Sequence, residues 1–200
     1  MDFWLINTFK FLAYIAPFLF GFSLITISAL NGTFLQPIIY FGILALSMML
    51  LSQIKINKDV PIPSNFNEIC KTWGWNFFDD AYYRPSLGTY FIIFSVFYTL
   101  MPMIINKTFN IFFIVYIISV FMLDLIFNFG INKCYTTSSY VISIFAGVII
   151  GGVSSSLINA TNPELVYFGV SPSNNQVCGK VSNKNFKCSV YKNGQLIKRL

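Results

Sequence analysis

The chain has 200 residues, 56% of them apolar and only 10% charged, and its thirteen Lys and Arg outweigh seven Asp and Glu for a net charge of +6. A soluble domain carries about 25% charged residues, so this composition excludes one. Histidine is absent, which removes the usual general base, the usual phosphate nucleophile and the commonest metal ligand together; no catalytic, cofactor-binding or metal-ligating set is assigned.

Residues 1–10 lack the basic start of a secretory signal, and the apolar run over 11–30 is longer than a signal's apolar core. The reading is a retained membrane helix, with Pro17 and Gly21 tolerated inside it. Asn31-Gly32-Thr33 makes a tight turn and residues 34–51 return across the bilayer. Residues 1–51 are therefore expected to form a two-helix transmembrane hairpin.

Residues 52–85 are the one long polar interruption. Within them Ile69, Cys70, Trp73, Phe77 and Ala81 recur at helical spacing, and Trp73, Trp75, Tyr82 and Tyr83 are of the kind that settles at headgroup level. The expectation is an interfacial aromatic segment lying on the membrane. The alternative is a loop that happens to be aromatic, since Gly74 weakens any helix there.

Residues 86–157 hold three further apolar spans, about 86–105, 109–129 and 140–157, broken by Asn106-Lys107 and by the stretch from Gly130 to Ser139. In the last span Gly147 and Gly151 stand four apart, leaving one flank with almost no side chain. That suits close helix packing, within the chain or between copies in an oligomer. Asp124 is the one charge deep within a span, near the C-terminal end of its helix, where the dipole disfavours a carboxylate. It calls for a partner, and Arg84 and Lys133 are the candidates for an intramembrane tie. An ionisable residue inside a membrane is a functional suspect by default, whereas a single one near an interface also suits a structural tie.

Residues 158–200 form a basic extramembrane tail carrying Lys180, Lys184, Lys187, Lys192, Lys198 and Arg199. Alternating residues on either side of Asn193-Gly194 predict a small β-hairpin. Such a module suits nucleic acid, anionic lipid or an acidic protein surface; a solvated tail that only adds charge is the alternative. Cys178 and Cys188 are too widely spaced for a zinc knuckle and acceptable for a disulfide closing a small loop.

Five spans put the termini on opposite sides. The N-terminal face receives Lys10, Lys55, Lys58, Lys71, Arg84 and Lys133, and the short turns of the other face receive only Lys107, so the positive-inside rule makes the N-terminus cytosolic. Sequons at Asn31, Asn106 and Asn159 all fall on the opposite face and agree; the basic tail, on that same face, disagrees. Cys70 and Cys134 share the N-terminal face, where a bridge requires an oxidising compartment.

Two families are similar in part. Arg84-Pro85-Ser86-Leu87-Gly88-Thr89, followed by two spans and Ser143-Ile144-Phe145-Ala146-Gly147, resembles the layout of type-2 phosphatidic acid phosphatases. Leu87 and Gly88 stand where that family has Gly-His, and Ser139 and Ser143 stand near its last His and Asp. The resemblance implies a relative that has lost catalysis, because the family's His nucleophile is missing. Pro85-Ser86-x-x-Thr89-Tyr90-Phe91, Met101-Pro102-Met103 and Phe186-Lys187-Cys188-Ser189-Val190-Tyr191-Lys192-Asn193-Gly194 resemble small multispan membrane proteins of large nucleocytoplasmic DNA viruses. That resemblance implies a place in the membrane beneath an icosahedral capsid.

The expectation is an all-α membrane protein with five transmembrane helices, an interfacial segment and a small C-terminal β-hairpin module. Its role would be non-enzymatic, linking a viral internal membrane or host endomembrane to capsid or other membrane proteins. The alternatives are a degenerate lipid-phosphatase-like enzyme or transporter, and an accessory subunit of an organellar membrane complex.

Overall fold

The computed structural model describes residues 2–56, 81–131, 133–169, 189–192 and 195–199. The chain divides into two units, Met1–Val170 and Ser171–Leu200. The first is built from helices: α1 (Asp2–Asn31), α2 (Leu35–Ser52), α3 (Leu87–Ile105), α4 (Ile111–Asp124), which runs on as a π-helical stretch over Leu125–Ile131, and α5 (Thr137–Thr161). Among the described residues, four helices are long and apolar enough to cross a membrane: Leu35–Ser52, Leu87–Ile105, Ile111–Ile131 and Thr137–Thr161. In α1 the apolar stretch Ile15–Asn31 is shorter.

Side-chain caps set three of the helix starts, because the first N–H groups of a helix have no partner within it. The side chain of Ser86 accepts from the Thr89 amide at 3.3 Å, that of Asn110 from the Phe113 amide at 3.1 Å, and that of Thr136 from the Ser139 amide at 3.1 Å. The last of these begins α5 at Thr137, ahead of the apolar run at 140, and shortens the connection before it. Likewise α1 begins at Asp2, well before residue 11. Asn7, Thr8 and Lys10 are no obstacle, since polar residues cost a helix only tenths of a kcal/mol each.

The five helices alternate in direction between two ends of a bundle, with α3 the most enclosed. At one end, α2 finishes at Ser52, whose carbonyl accepts from the Arg84 guanidinium just ahead of α3. There too the Phe9 ring of α1 stacks on Phe127 of the π-helical stretch, centroids 6.3 Å apart. At the other end, Ser28 of α1 donates to the Tyr167 hydroxyl at 3.3 Å, and Gln36 of α2 donates to the Val166 carbonyl at 3.2 Å. The Asn106 amide donates there to Asn159 Oδ1 at 3.0 Å. Helices α3 and α5 run parallel in close contact, the chain between them occupied by α4.

On α5 the burial pattern is the reverse of that of a helix in a water-soluble bundle. On α5, Ser139, Ser143, Gly147, Gly151, Ser155 and Asn159 recur every fourth residue and are all buried. Val141, Phe145, Ile149, Val153 and Leu157 recur with the same spacing on the outside. Residues four apart share one face of a helix, so α5 turns its small and polar face inward and its large apolar face outward. Helix α4 also turns Phe112, Val115, Ile118 and Met122 outward, while its buried face, Phe113, Ile117, Val120 and Asp124, is apolar apart from the carboxylate. In water such an exterior would be a liability. In lipid it carries no penalty, and helix association there relies on small residues and hydrogen bonds.

The two glycines of α5 are used inside the chain. A Cβ on Gly147 would lie 2.8 Å from Ile93 Cγ2, and one on Gly151 would lie 2.5 Å from the Phe94 carbonyl oxygen. Both contacts are with α3.

Of residues 52–85, the helical reading over Ile69, Cys70, Trp73 and Phe77 lies outside the described residues. The described ends are joined: the Ile56 amide donates to the Tyr83 carbonyl at 2.6 Å, beside a 3-10 turn over Ala81–Tyr83. Tyr82 is buried rather than presented at an interface, its ring edge-on to Tyr83.

In the second unit, Ser189–Lys192 and Gln195–Arg199 pair as antiparallel strands, with Ser189 opposite Arg199 and Lys192 opposite Gln195. Cys178, Cys188, Lys180, Lys184 and Lys187 lie outside the described residues.

Candidate functional site: a buried carboxylate among three neutral donors

Asp124 closes the α-helical part of α4 and is 1% exposed. Its Oδ2 accepts from Thr89 Oγ1 of α3 at 2.8 Å and from the Tyr140 hydroxyl of α5 at 3.2 Å. Its Oδ1 accepts from Asn128 Nδ2, one turn further along its own helix, at 2.8 Å. One carboxylate thus joins three helices.

Hydroxyls extend the arrangement outward. Ser86 Oγ, the cap of α3, lies 2.8 Å from the donor Thr89 Oγ1, and at the start of α5 Thr136 Oγ1 lies 2.7 Å from Ser139 Oγ. Phe129 stacks on Tyr140 at 4.6 Å and holds the ring that carries the phenol. The π-helical stretch after Asp124 shifts the phase of the helix and carries Asn128 and Phe129 into these positions. Such bulges are uncommon and recur at functional sites.

The expected tie between Asp124, Arg84 and Lys133 is corrected. Neither cation is among the partners of Asp124, whose acceptor capacity is met by Thr89, Tyr140 and Asn128. Arg84 is 6% exposed and turns its guanidinium to the Ser52 carbonyl, one of the C-terminal carbonyls that α2 leaves without a helical partner. Lys133 is exposed, in a left-handed turn with φ 49°. Neutral donors serve well here, because enclosing a full ion pair costs desolvation of two charges instead of one.

Asn128 was within reach of sequence reasoning, since residues four apart meet on a helix. Thr89 and Tyr140 were not, because the 35 and 16 residues separating them from Asp124 give no sequence signal. A second polar contact inside the bundle was equally silent: the Tyr40 hydroxyl of α2 bonds to Ser95 Oγ of α3.

Cys134 is disulfide-bonded. It lies two residues ahead of the cap of α5, 2% exposed, and its amide donates to the Asn128 carbonyl at 3.0 Å. No cluster of His, Cys, Asp and Glu that could hold a metal ion occurs among the described residues. Comparison with protein-family models, with curated proteins and with solved structures finds no match.

Proposed function

We propose that the chain is a non-enzymatic structural protein of an internal viral membrane, its helical bundle anchoring a basic module that engages capsid, another membrane protein, nucleic acid or anionic lipid. One observation carries the anchoring part of this reading: a lipid-suited bundle ending at Val170 is followed by a separate unit, Ser171–Leu200, that holds paired strands and six basic residues with no acidic one. An anchor with an appended cationic module is a means of attaching something to a bilayer. The assignment to a virus rests on the resemblance of the tail around Phe186 to Gly194. In this reading all five helices cross, α1 included.

The test is copurification of the full chain from infected or expressing cells, compared with a chain ending at Val177. Retention of the same capsid, membrane or nucleic-acid partners after the deletion would refute the role given to the tail. Loss of those partners with the bundle still in the membrane supports it.

A second reading is favoured by the π-helical stretch beside Asp124: a proton or cation path through the bundle. Proteoliposome flux that is lost in Asp124→Asn would select it over the anchor.

A further inference from the structure

No cation lies among the partners of Asp124, which are two hydroxyls and an amide. Of the charged and titratable side chains described on the elements packed around it, Tyr140 of α5 is the one that touches it. Arg84, just ahead of α3, is turned to the Ser52 carbonyl, and Lys133, past the π-helical stretch, is exposed. The side chains of Asp2, Lys10 and Tyr14 of α1 lie outside the described residues. The C-terminal end of the α-helical part of α4 adds partial negative charge of its own. A carboxylate enclosed in this way is neutralised by a proton or matched by a cation.

The Asn128 amide favours the proton. Its Oδ1 is enclosed and accepts no hydrogen bond, while its Nδ2 donates to Asp124 Oδ1 at 2.8 Å. Turning the amide over about its Cβ–Cγ bond brings Oδ1 to the place of Nδ2. There it accepts from a protonated Asp124 Oδ1, since a neutral carboxyl donates through one O–H. Asp124 Oδ2 keeps both its donors, Thr89 and Tyr140, in either state. The exchange therefore swaps oxygen for nitrogen in the enclosed place and breaks no bond between helices. A cation suits the site less, because Thr89, Tyr140 and Asn128 all aim hydrogens at the carboxylate oxygens it would need. Asn128 is half-buried and stands one turn nearer the helix end than Asp124, so a proton arrives from its side.

We propose that Asp124 is a proton-binding site, and that the Asn128 amide turns over to accept the proton it gains. An O–H bond forms at Asp124 Oδ1 as one breaks in a hydronium ion, which leaves as water. Release is the reverse, and the amide turns back to donate to the carboxylate. Thr89 and Tyr140 hold the carboxyl between α3 and α5 throughout. The proposal rests on the second reading above and narrows its ion to a proton; it needs binding and not passage.

The experiment records infrared difference spectra of the full chain in lipid bilayers, between alkaline and acid buffer. A carboxyl C=O stretch should grow in on acidification of the wild-type protein and be missing in Asp124→Asn. In Asn128→Ala that band should remain but move to higher wavenumber, because the acid O–H has lost its acceptor. Where Asp124→Asn does not fold, Asp124→Glu takes its place and should shift the band without removing it. Identical acid bands in the wild type and in the Asp124 variant overturn the proton site. An unmoved band in Asn128→Ala overturns the role of the amide. An unfolding midpoint raised by sodium over choline, with no band lost in Asp124→Asn, assigns the balancing charge to a cation and overturns the proposal as well. Proton flux in proteoliposomes is read separately: an acid band at Asp124 without flux supports the site and refutes the path.

Discussion

Gly151 of α5 lies so near Phe94 of α3 that a methyl group in place of its hydrogen would stand 2.5 Å from the Phe94 carbonyl oxygen. Backbone cannot yield as a flexible side chain can, so the two helices would have to part. Gly151→Ala should lower stability by about 1–3 kcal/mol, the usual cost of forcing volume into a packed interior. Gly42→Ala is the control: its Cβ would meet nothing within 4 Å, so the substitution should be neutral or slightly stabilising through helix propensity. Thermal unfolding of both variants in one detergent checks the difference.

Removing the carboxylate of Asp124 takes away the acceptor used by Thr89, Tyr140 and Asn128, and of the three only Thr89 is also hydrogen-bonded to another hydroxyl, Ser86 Oγ at 2.8 Å. Each donor left unmet costs about 1–3 kcal/mol, so Asp124→Ala should lose about 3 kcal/mol or more. Asp124→Asn keeps the shape and one acceptor oxygen and should lose clearly less. Equal losses in the two variants, measured by chemical or thermal unfolding, would show that the donors are not what makes this residue costly to replace.

The contrast between Asp124 and its partners shows where sequence reasoning reached and where it stopped. The apolar runs were legible because a bilayer imposes a length on them, and Asp124 stood out because a carboxylate is rare in such surroundings. Glycines four apart, Gly147 and Gly151, pointed to a close helix contact, but not to Ile93 and Phe94 as the other side. Charge led toward Arg84 and Lys133, cations that the spans place at the same end as Asp124. Hydroxyls and an amide took the place instead, and Thr and Tyr are too common in membrane helices to announce that role. The phase shift from α- to π-helix after Asp124 has no periodicity that would have marked it beforehand.

Arg84 should prove structural through its contact with the end of α2. Arg84→Lys keeps the charge but loses the planar fork, and should loosen the Ser52 end of α2, where the Arg84 guanidinium meets a backbone carbonyl. Hydrogen exchange should rise over residues 48–56 and remain unchanged at the other end of the bundle, near Tyr167. An increase spread evenly over the whole bundle would contradict a local role.

Tyr167 lies beyond the last helix, and burial raises its phenol above the ordinary value of 10.0, opposed in part by the hydrogen bond from Ser28. A pKa higher in the folded state than in the unfolded state contributes stability that is fully present below the unfolded value. That contribution is lost as pH rises through the folded value. The unfolding midpoint should therefore show no dependence on Tyr167 up to about pH 10 and decline above it. Tyr167→Phe should flatten the decline, and an unaltered alkaline profile in that variant would assign the dependence to other groups.

The central claim is that lipid, and not protein or water, covers the outward apolar flank of α5. Nitroxide spin labels placed singly at Phe145, Ile149 and Val153, in protein reconstituted into liposomes, test it most directly through collision with dissolved oxygen and with a water-soluble nickel chelate. The account predicts high oxygen and low nickel accessibility at all three, with oxygen accessibility rising toward the bilayer centre. High nickel accessibility along that flank would contradict it.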